Sequence, residues 1–279
     1  MRHFDTTGPI RLRLEFGAGD VALEASDTTT TTVDLQPIGD DDESREAVAQ
    51  SIIEQRGDEI LVKVPRGRRL RRSPKLRLRM NVPLGSQLSA ELQSADLVAT
   101  GEYGTSDVSS GSGDVSVTTV AGDARVMTGS GDVALELVTG TCQLKAGSGS
   151  VRIRDVGGVT NVGTGSGDVL VARAGADVSV KSGSGDVRVD EAIGSVALMS
   201  GSGNLQVGRV GAGKVSAKAA SGDVHIGVAA GTAAWLDLNT ISGDVVNGLD
   251  DTAAPPAAGD PVVEIRATTV SGDVLIRRA

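Results

Sequence analysis

The chain has 279 residues, a net charge of −9 and 38 glycines, but only two Phe, one Tyr and one Trp. So few rings exclude a sugar-stacking groove or a base-stacking platform, and 8 prolines are too few for collagen or a proline-rich linker. Residues 87–279 carry all of the excess negative charge, which repels nucleic acid, so we expect no nucleic-acid partner.

The first 86 residues alternate between short apolar segments and turns. Apolar alternation predicts strands over 9–16, 20–25, 31–36, 58–64 and 75–82, with a turn at 17–20. Acidic residues at 40–43, followed by Ala47, Val48 and Ile52, predict a helix of about 43–55 that ends at Gly57. We expect residues 1–86 to form a β-rich capping region with this one short helix, covering the first coil of the region that follows.

A basic run lies just before the last of these strands. Its members at 66–72 are Arg66, Arg68, Arg69, Arg71 and Arg72, and it continues with Lys75, Arg77 and Arg79. One interpretation is a partner-binding surface, including peripheral contact with an anionic membrane. The other is a solvated hairpin loop with outward-pointing arginines.

From residue 87 onward a nine-residue pattern repeats. Its most visible part is Gly-Ser-Gly-Asp-Val, which recurs at steps of 18 residues. Positions two and four of each nine are apolar and position nine is usually Gly, which predicts a short strand with one buried face and a tight corner. Two such units make one coil, and stacking of coils buries the apolar faces. We therefore predict an all-β fold, a single-chain flattened β-solenoid over 87–279 with about ten coils of about 18 residues and a right-handed course.

The C-terminal end of this predicted solenoid needs protection. We expect the final strand, 273–278, to be the bare edge of the stack, and loop 250–263, which interrupts the repeat, to fold over it as a cap. With that edge covered, we expect a monomer or a dimer. The single cysteine, Cys142, excludes an intrachain disulfide.

The repeated aspartates are the candidates for a metal site. In stacked coils they would form a column about 4.8 Å apart, where like charges repel unless a cation or hydrogen bonds offset them. The four candidates are Asp114, Asp132, Asp168 and Asp186. A calcium-binding β-roll is one interpretation. We favour the other, in which each Asp accepts a backbone N–H of its turn, because the alternate turns carry no paired acid.

Catalytic chemistry has little support in the sequence. The two histidines, His3 and His225, are far apart, and His225 occupies an outward position of its strand, whereas Cys142 occupies an inward one. The Gly-Ser-Gly segments precede strands rather than helices, so they do not match phosphate-binding loops. We therefore expect neither enzyme activity nor a cofactor.

Three segments and the repeat itself carry a resemblance to a known family. Met-Asn-Val-Pro-Leu-Gly at 80–85, Leu-Ser-Ala at 88–90, Ser-Ala-Asp-Leu at 94–97 and the repeated Ser-Gly-Asp-Val resemble bacterial β-strand-repeat proteins of unknown function, known as putative adhesins or toast-rack domains. The resemblance implies a non-enzymatic scaffold or protein-interaction module, accessory to a cell-envelope stress system. The alternative is an adhesin-like or calcium-binding β-roll surface protein.

Localisation is predicted from the lack of long apolar runs. Members of the family often carry membrane segments, but this sequence has no apolar run of signal-peptide or membrane-spanning length. We therefore expect a cytoplasmic protein, with envelope association as the alternative.

Overall fold

The computed structural model describes residues 1–65, 74–249 and 261–279. The chain divides into two compact units, Met1–Gly140 (unit 1) and Thr141–Ala279 (unit 2). The described residues are mostly strand, stacked largely in parallel, with a single short helix. The prediction of an all-β solenoid is confirmed.

Unit 1 contains ten strands and the helix α1 (Asp42–Gln50) among its described residues. The strands are β1 (Arg2–Asp5), β2 (Arg11–Ser26), β3 (Thr30–Pro37), β4 (Ile52–Arg56), β5 (Glu59–Lys63), β6 (Lys75–Pro83), β7 (Ser86–Ser110), β8 (Val115–Val120), β9 (Ala124–Thr128) and β10 (Val133–Val138).

Strand β2 is the centre of the N-terminal stack. It pairs in parallel with β5 and β6 on one side and with β7 on the other, so that Arg11 faces both Glu59 and Gln87. The long strand β7 then pairs in parallel with β8 and β9, and β8 with β10. Because β2 pairs with β7, the parallel stack includes part of the first 86 residues. The division of the chain into domains at residue 86 stays a prediction.

Antiparallel strands line the outer side of this stack. Strand β3 pairs antiparallel with β6, β1 with β3, and β4 with β5, while α1 packs against β3 and β6. Strands β4 and β3 pair with the backbone N–H and C=O groups of β5 and β6, which would otherwise be free to pair with another chain.

Two local predictions for this region are wrong. The helix ends at Gln50 rather than near residue 55, because Ser51 is already extended and the β-branched Ile52 and Ile53 continue as strand β4. The expected turn at 17–20 is continuous strand within β2. Gly19, at φ +118°, has no Cβ to meet the Leu76 carbonyl, so β2 and β6 run side by side there.

The start of the helix agrees with the sequence. The N-cap prediction is confirmed, because Asp41 accepts the N–H of Ser44 at 2.8 Å.

Unit 2 contains fourteen strands among its described residues. They are β11 (Cys142–Ser148), β12 (Val151–Val156), β13 (Thr160–Ser166), β14 (Val169–Ala174), β15 (Val178–Ser184), β16 (Val187–Ala192), β17 (Val196–Ser202), β18 (Leu205–Val210), β19 (Gly213–Ser221), β20 (Val224–Val228), β21 (Ala233–Ser242), β22 (Val245–Gly248), β23 (Val262–Ser271) and β24 (Val274–Arg278).

The strands of unit 2 stack in two parallel series. Odd-numbered strands β11 to β19 pair with one another in order, and even-numbered strands β12 to β20 do the same. In the second series Val151, Val169, Val187 and Leu205 face one another in register, and all four are buried. The predicted inward positions, two and four of each nine, are confirmed.

The last coil in sequence is not the last coil in space. Strand β23 lies between β19 and β21, and β24 lies between β20 and β22. The prediction that 273–278 forms the bare edge is therefore wrong. Among the described strands of unit 2, β21 and β22 are the ones that pair on one side only, β21 with β23 and β22 with β24. Residues 250–260 of the predicted capping loop lie outside the described part of the chain, so its capping role stays a prediction.

Candidate interaction surfaces

The predicted metal column is a ladder of hydrogen bonds between coils. In unit 1, Asp132 donates its backbone N–H to Oδ1 of Asp114 at 2.8 Å. In unit 2, Asp186 donates to Asp168 at 2.9 Å, and Asn204 donates to Asp186 at 2.7 Å. The carboxylates of Asp114, Asp168 and Asp186 thus each accept an N–H, as we favoured from the sequence, but the donor belongs to the next coil rather than to the residue's own turn.

Glycine corners allow this close stacking. Gly185, just before Asp186, has φ +122°, which L side chains rarely adopt. A Cβ added there would lie 2.5 Å from the carbonyl oxygen of Gly167 on the neighbouring coil. Glycine at this position therefore brings the corners together, so that the following N–H reaches the preceding carboxylate.

A metal site needs more ligands than this column brings together. Within residues 1–65, 74–249 and 261–279, no group of three or more His, Cys, Asp or Glu side chains is placed to hold a metal ion. Asp114, Asp168 and Asp186 are individual hydrogen-bond acceptors in this column, and cation binding there stays the alternative hypothesis.

The basic run is only partly described. Arg66, Arg68, Arg69, Arg71 and Arg72 lie outside the described residues, and their role in partner binding stays a prediction. The following strand, β6, exposes Lys75, Arg77 and Arg79 and buries the residues between them, as the outward-arginine interpretation predicts. Arg77 is paired with Asp20 of β2, with Nη2 3.0 Å from Oδ2.

Unit 2 carries a column of alternating charges that was not predicted from the sequence. Asp155, Arg173, Glu191 and Arg209 face one another on β12, β14, β16 and β18. Arg173 lies 3.3 Å from Asp155 and 3.7 Å from Glu191, and Arg209 lies 3.8 Å from Glu191. The signal was available, since the sign of the charge alternates at an 18-residue spacing.

This column borders a shallow open cavity of about 410 Å³. Its charged lining consists of Arg154, Asp155, Arg173, Asp190, Glu191 and Arg209. Three cations and three carboxylates balance, so the cavity favours neither an anion nor a cation. Its half-exposed ion pairs hold the side chains in a fixed order rather than adding much stability.

Neither of the reactive side chains, Cys142 and His225, belongs to this charge column. Cys142 is fully buried, and burial raises the pKa of its thiol to about 12, so the nucleophilic thiolate is not formed near neutral pH. His225 is exposed and points outward from β20, as predicted. Within the described residues, no helix is long and apolar enough to cross a membrane.

Comparison with known proteins gives one family and several distant structures. The family model described as Toastrack DUF4097 matches residues 19–190 and 174–277, whereas no curated protein matches the chain. A putative lipid binding protein from Parabacteroides distasonis ATCC 8503 is 12% identical, with a TM-score of 0.46 over 98% of this chain and 95% of that chain. A putative adhesin from Parabacteroides merdae ATCC 43184 is also 12% identical, with a TM-score of 0.43 over 99% of this chain and 94% of that chain. Identities this low say nothing about what this chain binds.

Proposed function

Because the chain belongs to the Toastrack DUF4097 family, we propose that it is a non-enzymatic β-solenoid module that binds a protein partner, as an accessory of a bacterial cell-envelope stress system. The resemblance found in the sequence is thereby confirmed at the level of the family. The accessory role and the partner are the proposal.

The alternating charge column is the observation that carries the interaction role. Asp155, Arg173, Glu191 and Arg209 are held by their ion pairs on neighbouring parallel strands, whose spacing is about 4.8 Å. A partner that contacts ordered side chains loses less conformational entropy on binding than one that must order them. Alternating signs also fix the register of the partner, because a shifted partner meets like charges.

Charge reversal tests this surface. Immobilised wild-type chain is incubated with soluble and envelope extracts of the source bacterium, cross-linked, and analysed for captured proteins. We expect a partner that is retained by wild type and lost by Arg173→Glu/Arg209→Glu. The matched control, Arg152→Glu/Lys181→Glu, changes the net charge equally at exposed cations outside the column and should retain that partner. Equal capture by both double variants would contradict the role of the column.

Two further elements of this proposal concern where the protein acts. The basic residues at 66–72 supply a candidate contact with an anionic membrane surface, and we infer a cytoplasmic protein that reaches the envelope from inside the cell. Fractionation of cells with and without a high-salt wash separates a peripheral, charge-dependent contact from a freely diffusing protein.

A further inference from the structure

The outermost coil of unit 2 leaves core positions uncovered. Leu236 and Leu238 of β21 stand in register with Ile265 and Ala267 of β23, which are 0% exposed, yet both leucines are only partly buried. Val245 of β22 is 45% exposed, although its register partner on β24 is fully buried. We call the outer side of β21 and β22 the open edge.

Large apolar side chains are concentrated around this open edge. Trp235 and Ile241 of β21 are 55% and 81% exposed, and Val246 of β22 is 49% exposed. Ile241 stands beside Val270 of β23, which is 48% exposed, so the apolar surface continues across two strands. Exposed apolar groups that form one patch mark an interaction site, whereas scattered ones need no explanation.

The open edge also lacks the charges that usually protect edge strands. Residues 233–248 include only two charged side chains, and Asp237 is paired with Arg266, with Nε 2.8 Å from Oδ2. By contrast, the outer strands of unit 1 carry Arg and acidic side chains, and Arg2 of β1 donates to the carbonyl of Ile53 on β4. Edge strands without charge, proline or a covering element pair readily with other strands.

We propose that the open edge is the interface through which two copies of this chain associate. A largely apolar edge, whose strands have no further partner among the described residues, is complementary to an identical edge; its one carboxylate outside an ion pair, Asp244, is exposed at the corner, where it can stay in contact with water. The described outer strands of unit 1, β1 and β4, carry charged side chains, so they are not complementary to this apolar edge. The association therefore pairs the open edge with the same edge of a second copy about a two-fold axis and stops at two copies.

The size of the edge is sufficient for such a dimer. A ten-residue strand is about 33 Å long, and two sheets about 10 Å apart with their outward side chains span about 20 Å. The resulting face of roughly 700 Å² per copy is close to the roughly 800 Å² per partner of a standard stable interface. This inference does not depend on the proposed partner or on the charge column.

Sedimentation of the 279-residue chain tests the proposal. Trp235 is the single tryptophan, so its fluorescence reports directly on this edge. We expect a dimer whose formation, over a range of about 1–100 µM, shields Trp235 from acrylamide. Ile241→Lys/Val246→Lys should weaken the dimer by at least about tenfold, because both copies bring the new charges to the same interface. The control Ile193→Lys/Met199→Lys alters side chains of unit 2 that are 65% and 46% exposed but lie outside the open edge, and should leave the dimer unchanged.

Each remaining outcome overturns the proposal. A monomer throughout the concentration range excludes a second copy as the occupant, and filaments exclude a closed pair. A dimer equally stable in both lysine variants places the interface elsewhere. If replacing 251–260 by Gly-Asn converts a wild-type monomer into a dimer, the chain's own segment, rather than a second copy, occupies the edge.

Discussion

Asp186 donates its backbone N–H to Oδ1 of Asp168 at 2.9 Å, although 18 residues separate the two in sequence. The same bond recurs two coils further on, where Asn204 takes the place of Asp and its Oδ1 accepts the N–H of Asp223 at 2.9 Å. An amide oxygen therefore serves as well as a carboxylate, which indicates that the position requires an acceptor rather than a charge.

This equivalence predicts different effects on stability for two substitutions at residue 168. Asp168→Ala removes the acceptor of the Asp186 N–H and should lower the free energy of unfolding by about 1 kcal/mol. Asp168→Asn keeps the acceptor and removes a like charge beside Asp186, so it should be neutral or stabilising. Urea unfolding followed by circular dichroism measures both, and equal losses would show that the charge itself is required.

Calcium should not stabilise the fold. The Oδ1 atoms of Asp114 and Asp168 already accept backbone N–H groups, so a cation would have to compete with those bonds. We expect the same thermal midpoint in calcium and in chelator. A rise above about 10 °C with calcium would contradict this and support the β-roll alternative.

Two glycines of unit 2 should respond differently to the same substitution. Gly185→Ala places a Cβ 2.5 Å from the Gly167 carbonyl oxygen at φ +122°, and the backbone conformation alone costs about 1–3 kcal/mol. Gly163→Ala on β13 is the control, because a Cβ there has no atom within 4 Å and its φ is not in the left-handed region. The two variants are compared by their midpoints of denaturant unfolding. Equal midpoints would be inconsistent with the tight corner at Gly185.

Cys142 makes stability depend on alkaline pH. Burial raises the pKa of its thiol to about 12 in the folded chain, while the unfolded thiol loses its proton above about pH 8.5–9. Above about pH 9 the folded chain therefore holds a proton that the unfolded chain has lost. The free energy of unfolding does not depend on this thiol below about pH 8.5, and it declines from about pH 9 towards pH 12 by up to about 1.4 kcal/mol per pH unit. Unfolding of wild type and Cys142→Val should diverge between pH 8 and pH 10. Parallel pH profiles would contradict the shift.

The sequence was sufficient to predict the coil but not the order of the coils. Spacings of two within nine residues place Val169 and Val171 on the buried face of β14, as the structure shows. The same repetition makes every coil a suitable neighbour for every other. It therefore does not indicate that β2 lies between β6 and β7, or that β24 lies between β20 and β22.

The interaction surfaces were predictable to different degrees. The alternating signs of Asp155, Arg173, Glu191 and Arg209 follow directly from the 18-residue spacing once the register is known. The open edge could not be predicted, since the exposure of Trp235 and Val245 depends on which coil is outermost.

Engineered disulfides test the order of the coils at the C-terminal end. Asn239 of β21 and Thr268 of β23 are register partners, so their Cα atoms lie about 4.8 Å apart, within the range of about 4.4–6.8 Å that a disulfide spans. Lys218 of β19 is the partner of Thr268 on its other side, about 9.6 Å from Asn239. Asn239→Cys/Thr268→Cys should therefore oxidise readily, and Lys218→Cys/Asn239→Cys should keep both thiols. Alkylation and mass measurement count the free thiols, and the buried Cys142 does not compete. If the coils stacked in chain order, β21 would lie beside β19 and the second pair would form the cross-link instead of the first.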